Sequence, residues 1–463
     1  MSSLDPPMSL AARLSRKERS EAGKTLRDAC PRTSHAEWRV PKHRADPVEL
    51  LERSSEGRIP ELIPIRYGRM VRSPFTFYRG AAMNMAADLA TTPSSGLRVQ
   101  ACGDCHLSNF GAFATPERRV IVDINDLDET LPAPWEWDVK RLAASFILAS
   151  RNDGHSEADA RDATLACVRS YREAMLEFAD MQVLDVWYAS LDIEEVIAQV
   201  DDKDVQRRIE KRLAKARERS VLEHDFPDLV TMAGGSPSIK DDPPLIYHYQ
   251  TDRRERFDEV VRGAFNAYRE SMADYRRVLL DRYSLVDIAV KVVGIGSVGT
   301  RCAVMLLMAD DDDPLFLQVK EARASVLEPY AGRSAYANHG ERVVKGQFLM
   351  QAASDLFLGW TEGRHGRHFY VRQLRDMKVK PLVEIFTPSD MLRYAKFCGW
   401  ILARAHARSG EPAAIAGYLG KSDKFDQAIA AFSVAYADQT EQDHAALEAA
   451  VRSGAIDVIL EEE

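Results

Sequence analysis

Apolar residues along this chain follow two spacings, and the change from one to the other divides it. Residues 1–45 follow neither: Ser, Arg, Lys and Pro mix without a period, which predicts a mobile or loosely docked arm, with the fold proper beginning near Pro47. From Ala82 to Ala90 the spacing is helical, and Thr91-Thr92-Pro93-Ser94-Ser95-Gly96 breaks it. Leu97 to Ala101 and Val120 to Val122 are short enough and apolar enough for buried strands. Val139, Leu142, Ala143, Phe146 and Ile147 then mark a helix over 134–151, with Asp138 in its first turn. Further helical patterns run over 157–181, 193–217 and 254–283, the second carrying alternating charge as a solvated face does.

Beyond residue 285 the period changes. Runs at 285–293, 302–308 and 315–319, separated by Gly-rich and Asp-rich turns, predict an antiparallel meander with a hairpin tip at Asp310 to Pro314. A helix over 340–356, a strand over 369–374, a helix over 391–408 and a polar helical tail from Lys421 complete the pattern. There is no internal repeat.

Composition narrows the class. With 463 residues, 45% of them hydrophobic, the chain can bury a large core divided into two or three lobes. A net charge of -9 and a pI of about 5.8 speak against a nucleic-acid surface over the whole molecule, so nucleic acid is not an expected partner. No apolar run marks an export signal within 1–24, and none approaches the length of a membrane span; a soluble, cytoplasmic protein with no membrane partner is expected. Six cysteines in so long a chain suit a reducing compartment.

The chemistry concentrates in Gly103-Asp104-Cys105-His106-Leu107-Ser108-Asn109 and in Asp123-Ile124-Asn125-Asp126. Phosphoryl transfer needs one carboxylate to orient or deprotonate a hydroxyl, here Asp104. It also needs an amide and a second carboxylate to hold magnesium, here Asn109 and Asp126. Asp123 and Asp128 compete with Asp126 for the metal, since all three follow one strand. Gly294-Ile295-Gly296-Ser297-Val298-Gly299 is a G-x-G-x-x-G, and because a strand rather than a helix follows, it reads as a phosphate-covering turn in which Gly294, Gly296, Ser297 and Gly299 approach a nucleotide. The next strand supplies Lys320 for the phosphates, with Glu328 or Glu341 as its expected ion-pair partner. Cys102 and Cys105 have C-x-x-C spacing, but no second Cys or His pair accompanies them, so zinc is not expected. Arg66, Arg69, Arg72 and Arg79 are candidates for an acidic group or for ordinary surface pairing.

The strings Arg72-Ser73-Pro74-Phe75, Gly103 to Gly111, Asn125-Asp126-Leu127-Asp128-Glu129 with Pro134 to Asp138, and Gly346 to Gln351 resemble the bacterial family called domain of unknown function 2252, over about 45–440. That family looks related to the protein-kinase-like superfamily, and the loop here is similar to the His-Gly-Asp-x-His-x-x-Asn loop of aminoglycoside and choline phosphotransferases. The resemblance implies Asp104 as catalytic aspartate, His106 as loop histidine, Asn109 and Asp126 as metal ligands, and Asp138 as the brace. Cys102 departs from it, standing where the first histidine would be. The Gly-rich strands also follow the loop here instead of preceding it, which implies circular permutation. Leu402 to Arg408 supports this, since it resembles the helix that normally leads into the loop. The implied protein is α+β, two-lobed and kinase-like with added helices: a helical lobe over 46–285 completed by 386–463, and a β-rich lobe over 286–385. The implied activity is transfer of phosphoryl from ATP, with Mg²⁺, to a hydroxyl on an unidentified small molecule or protein. A non-catalytic nucleotide sensor or scaffold and an AMP transferase are the alternatives.

Overall fold

The computed structural model describes residues 14–198, 203–218, 229–233, 236–248, 251–292, 294–374 and 378–461. Residues 1–13 of the expected arm, 199–202 of the helical pattern over 193–217, Val293, and 462–463 of the tail lie outside them. The fold is mixed α+β, with several antiparallel sheets.

The described part of the N-terminal segment is docked rather than mobile. Ser15 and Glu18 form a capping box on α1 (Arg16–Ala29). That helix meets the one over Pro412–Leu419 at glycines: a Cβ on Gly23 would lie 1.9 Å from the Ala414 carbonyl oxygen, and one on Gly417 would lie 2.0 Å from that of Ser20. The contact depends on missing side chains, so no apolar stripe advertises it. Short helices follow, α2 (Pro47–Ser55), α3 (Ile63–Met70), α4 (Pro74–Gly80) and α5 (Ala82–Leu89). The chain then enters β1 (Arg98–Ala101), β2 (Phe110–Ala114), β3 (Val120–Ile124) and β4 (Leu131–Pro134). β1 pairs with β4, and β2 with β3, both antiparallel.

The main core is helical. It is built from α6 (Trp135–Asn152) and α7 (Glu157–Asp180), joined from the far end of the chain by Pro388–Ser409, Pro412–Leu419 and Lys424–Arg452. The last of these is a buried element rather than a polar tail: Phe425, Ile429, Phe432 and Tyr436 face the core, and the buried carboxylates Asp426 and Asp443 are paired with Arg172 and Arg44. The pattern over 193–217 resolves into helices Ile193–Ala198 and Lys203–Glu218, and that over 254–283 into Thr251–Ser271 and Asp274–Leu280.

The meander forms as its alternation requires. Strands Ser284–Lys291, Cys302–Met308, Pro314–Ala322, Gly359–Glu362 and His368–Gln373, with the short Ile246–Tyr247 at one edge, make a six-stranded antiparallel sheet. Lys320 is opposite Cys302 on one side and Tyr370 on the other. Between the third and fourth of these five strands lies the helix His339–Met350, six residues shorter at its C-terminus than the periodicity over 340–356 predicts. The chain leaves the helix there because Ala352 N–H donates to Asp123 (2.7 Å) and the Gln351 amide to the Ile124 carbonyl (2.7 Å). No helix among the described residues is long and apolar enough to cross a membrane.

Candidate functional site

The loop from Cys102 to Asn109 joins β1 to β2 and owes its shape to one buried carboxylate. Asp138, in the first turn of α6, accepts from the Cys102 N–H (2.6 Å) and the Gly103 N–H (3.0 Å), and His406 Nε2 lies 3.1 Å away. Tyr171 contacts the other ring nitrogen of His406 at 2.9 Å and fixes the ring. Gly103 has φ +81°, and a Cβ there would lie 2.4 Å from the Glu129 carbonyl oxygen, so the turn admits no side chain. Asp138 thus braces the loop. Burial pushes the Cys102 and Cys105 thiols up, so both pack as neutral groups. Their sulfurs and an Asp138 oxygen cluster within 4.8 Å, but the carboxylate is already engaged by the loop and His406.

Asp104 projects from this loop into a cleft of about 610 Å³ that also receives His106, Asn109, Asp126, Asp128, Gly294, Gly296, Ser297 and Glu328. Buried Arg141 donates twice to Asp104 Oδ1, through Nε (2.7 Å) and Nη2; the Asp104 side chain keeps 22% exposure. Asn109 Nδ2 donates to the Asp104 carbonyl (2.8 Å), and Asn125 N–H to that of Asn109 (2.7 Å), tying the two acidic segments together. His106 is buried, and burial, reinforced by Arg79 and Arg141 against the pull of Asp104, lowers its pKa to about 3. The imidazole is neutral across the physiological range.

Lys320 reaches the same cluster from the sheet. Its ammonium lies 3.5 Å from Asp126 and 2.5 Å from Asp128, and Tyr370 donates to Asp128 at 2.5 Å. Burial opposes the charge on Lys320, but Asp126 and Asp128 overcome it and hold the pKa well above the usual lysine value. Burial likewise opposes the charge on Asp126; Lys320 and Arg372 override it and keep the carboxyl below the ordinary range. Asp128 is pushed up by burial and by the adjacent Asp126 charge.

The expected glutamate partners of Lys320 are not used: among the described residues its ion pairs are with Asp126 and Asp128. Glu328 instead lies 3.7 Å from His339. Glu341 lies in the first turn of the helix His339–Met350, its N–H donating to the Asn338 cap (3.2 Å), and, like Gly299, Asp123 and the buried Lys320 itself, is not among the residues that line the cleft. Asp123 is 1% exposed and bound to Arg404 (2.6 Å), which leaves it no role at a solvent-accessible metal. The Gly-rich turn has φ +68° at Gly294 and +84° at Gly299, and Arg58 holds it through the carbonyls of Gly296 (2.7 Å) and Val298 (2.6 Å).

The arginine cluster divides. Arg66 is buried on Ser54, Ser55 and the Gly80 carbonyl; Arg69 binds the Gly294 carbonyl and Glu461, and Arg72 the Glu461 carbonyl. Arg79 lines the cleft with its Nε lacking a hydrogen-bond partner among the described residues. Arg141, Arg342 and Arg372, which bond Asp104, the Asp128 carbonyl and the Asn125 carbonyl (3.0 Å) respectively, are contacts of the acidic segments that motif reading misses. Arg141 follows Asp138 by three positions on one helix, so the two share a face, and that spacing is a usable signal. Arg342 bonds the carbonyls of Asp128 (2.8 Å), Thr130 and Arg323, and nothing local marks it.

Because His106 is held neutral, folding excludes a proton that the unfolded chain binds below about pH 6.5. Stability therefore falls as pH drops from 6.5 toward 3, by ~2 kcal/mol at pH 5 from this group alone. Urea unfolding at pH 7 and pH 5 should show a smaller difference for His106→Gln than for the parent; an equal difference would mean the ring protonates freely in the fold.

The fold and site define a mixed α+β protein whose acidic loop and Gly-rich hairpin share one cleft. The chain belongs to the family described as uncharacterised protein conserved in bacteria, domain of unknown function 2252, whose profile matches residues 58–450. No curated protein and no solved structure matches it.

Proposed function

We propose that this protein is a kinase-like phosphotransferase with a circularly permuted order of elements, transferring a phosphoryl group from ATP to a hydroxyl. The observation that carries the reading is the ion pairing of Lys320, on the strand after the Gly-rich hairpin, with Asp126 and Asp128 of the acidic turn. These groups are 194 and 192 positions apart in sequence, yet they meet where a nucleotide's phosphates and a cation would be held. The strand order, with a helix between the Lys320 strand and the strand Gly359–Glu362, also favours it.

The donor set suits magnesium. Asp126 is ionised and 37% exposed, and Asn109, whose Nδ2 is turned to the Asp104 carbonyl, offers its amide oxygen in the same cleft; both are hard oxygen ligands. Asn109 and Asp126 would hold the cation, which when bound neutralises phosphate charge. Asp104 accepts the proton of the incoming hydroxyl, with Arg141 fixing its orientation through Oδ1. Lys320 exchanges Asp128 for phosphate oxygens, and neutral His106 supports the loop without titrating. The backbone of Gly294 to Ser297 covers the phosphates. The acceptor is a hydroxyl-bearing small molecule or protein.

Titrating ATP with and without Mg²⁺, followed by thermal shift, tests the nucleotide site, and mass analysis of products distinguishes phosphoryl from adenylyl transfer. Lys320→Met is expected to weaken ATP binding roughly tenfold or more, the worth of a contact of ~1.5–3 kcal/mol to a charged group. Calorimetry on a variant shown by circular dichroism to be folded reads this directly. Unchanged affinity would place the phosphates elsewhere.

A further inference from the structure

The six-stranded sheet has a second face. Pairing puts Lys320, Cys302 and Tyr370 on one side, so the alternate residues Val290, Ala303, Val319 and Val371 lie on the other. There they floor a cavity of about 640 Å³, roofed by Ala264, Phe265 and Tyr268 of the helix Thr251–Ser271. This volume falls within the roughly 300–1,000 Å³ typical of small-molecule sites. It shares no lining residue with the cleft that holds Asp104 and Asp126, although Glu321 of that cleft pairs with two of its arginines.

The mouth of the cavity is cationic. Arg301, Arg364 and Arg367 line it, and no carboxylate is among its described lining residues. A short 3-10 turn, Arg364–Gly366, carries Arg364 and leads directly into Arg367, with Gly363 N–H donating to the Arg367 carbonyl (2.7 Å) across it. Glu321 is the nearby counter-charge, 3.4 Å from Arg301 and 3.8 Å from Arg367, one carboxylate shared by two guanidiniums. Three arginines at the entrance to an otherwise apolar chamber favour a ligand that is apolar along its body and anionic at one end.

We infer that this cavity binds a small amphipathic anion, an acyl chain or comparable apolar body with a single carboxylate or phosphate head, the head at Arg364 and Arg367 and the body against Ala303, Val319 and Phe265. The inference does not depend on the phosphotransferase reading, since no residue of the acidic turn takes part.

The test is calorimetric titration of the full chain, below micelle-forming concentrations, with dodecanoate, dodecyl phosphate, dodecanol and dodecyltrimethylammonium. One site per chain is expected for the anions, with dodecanol and the ammonium at least tenfold weaker. The preferred anion tells a free carboxylate from a lipid-like phosphate. Ala264→Phe, which fills the chamber, and Arg364→Glu with Arg367→Glu, which reverses the rim, should each weaken dodecanoate at least tenfold. The rim variants alter exposed or half-buried positions and keep the test decisive if the filled variant fails to fold. Equal binding of all four probes, many sites per chain, no binding, or affinity unchanged in the rim variants would overturn the inference.

Discussion

Asp104→Asn is expected to lower ATP-dependent phosphoryl transfer by a factor of about 10²–10⁴, the usual contribution of a positioned general base, while nucleotide affinity stays within about twofold. The separation follows from geometry. Asp104 lies on the β1–β2 loop with its carboxylate held at Oδ1 by Arg141, whereas Lys320 and Asp126 contact each other without it, and Asn109 meets Asp104 only at its backbone carbonyl. Asparagine preserves shape and an acceptor oxygen for Arg141 but takes no proton. Turnover measured with ATP and the acceptor pool, alongside calorimetric ATP binding, reads both quantities. A folded Asp104→Asn protein with parental turnover would remove Asp104 from catalysis. A parental protein that binds ATP and transfers nothing would instead identify a sensor that retains the cleft.

The site was legible in sequence to the extent that chemistry announces itself locally. Asp104, Asn109 and Asp126 are separated by a loop and a short strand, and G-x-G-x-x-G followed by strand alternation distinguishes a hairpin from a helix-opening turn. Both signals lie within a few residues, and both segments line one cleft. The partners of Lys320 were not legible. The expectation of a helix glutamate rested on fold analogy, while Asp128 reaches the ammonium across 192 positions, a tertiary fact without local trace. The N-terminal arm misled for a different reason: its docking rests on the close approach at Gly23 and Gly417 and on Arg27 and Arg32 donating to carbonyls of the Pro412–Leu419 helix, neither of which hydrophobic periodicity registers. The C-terminal helix misled because its buried Asp426 is neutralised by Arg172 at 2.9 Å, so a core position carries a charge.

The same distinction separates the competing aspartates of the acidic strand and turn, and it predicts a large stability effect. Asp123 and Asp126 lie three positions apart, but the first belongs to β3 and faces Arg404, with both side chains 1% exposed, while the second lies past the strand's end at the cleft. Besides Arg404 (2.6 Å), the Asp123 carboxylate accepts from Ile124 N–H (2.8 Å) and Ala352 N–H (2.7 Å), linking β3, the helix Pro388–Ser409 and the segment after Met350. Arg404→Met is expected to cost ~3–5 kcal/mol in urea unfolding, because it leaves a buried carboxylate without its cation. Adding Asp123→Asn should recover part of that loss, since the uncompensated charge and not the missing arginine dominates the cost. Asp126→Asn should instead abolish any magnesium dependence of nucleotide binding with a smaller change in stability, because its carboxylate retains solvent. A cost below about 1 kcal/mol for Arg404→Met, against that buried-pair expectation, would mean that water reaches Asp123 and would return it to the candidate metal ligands.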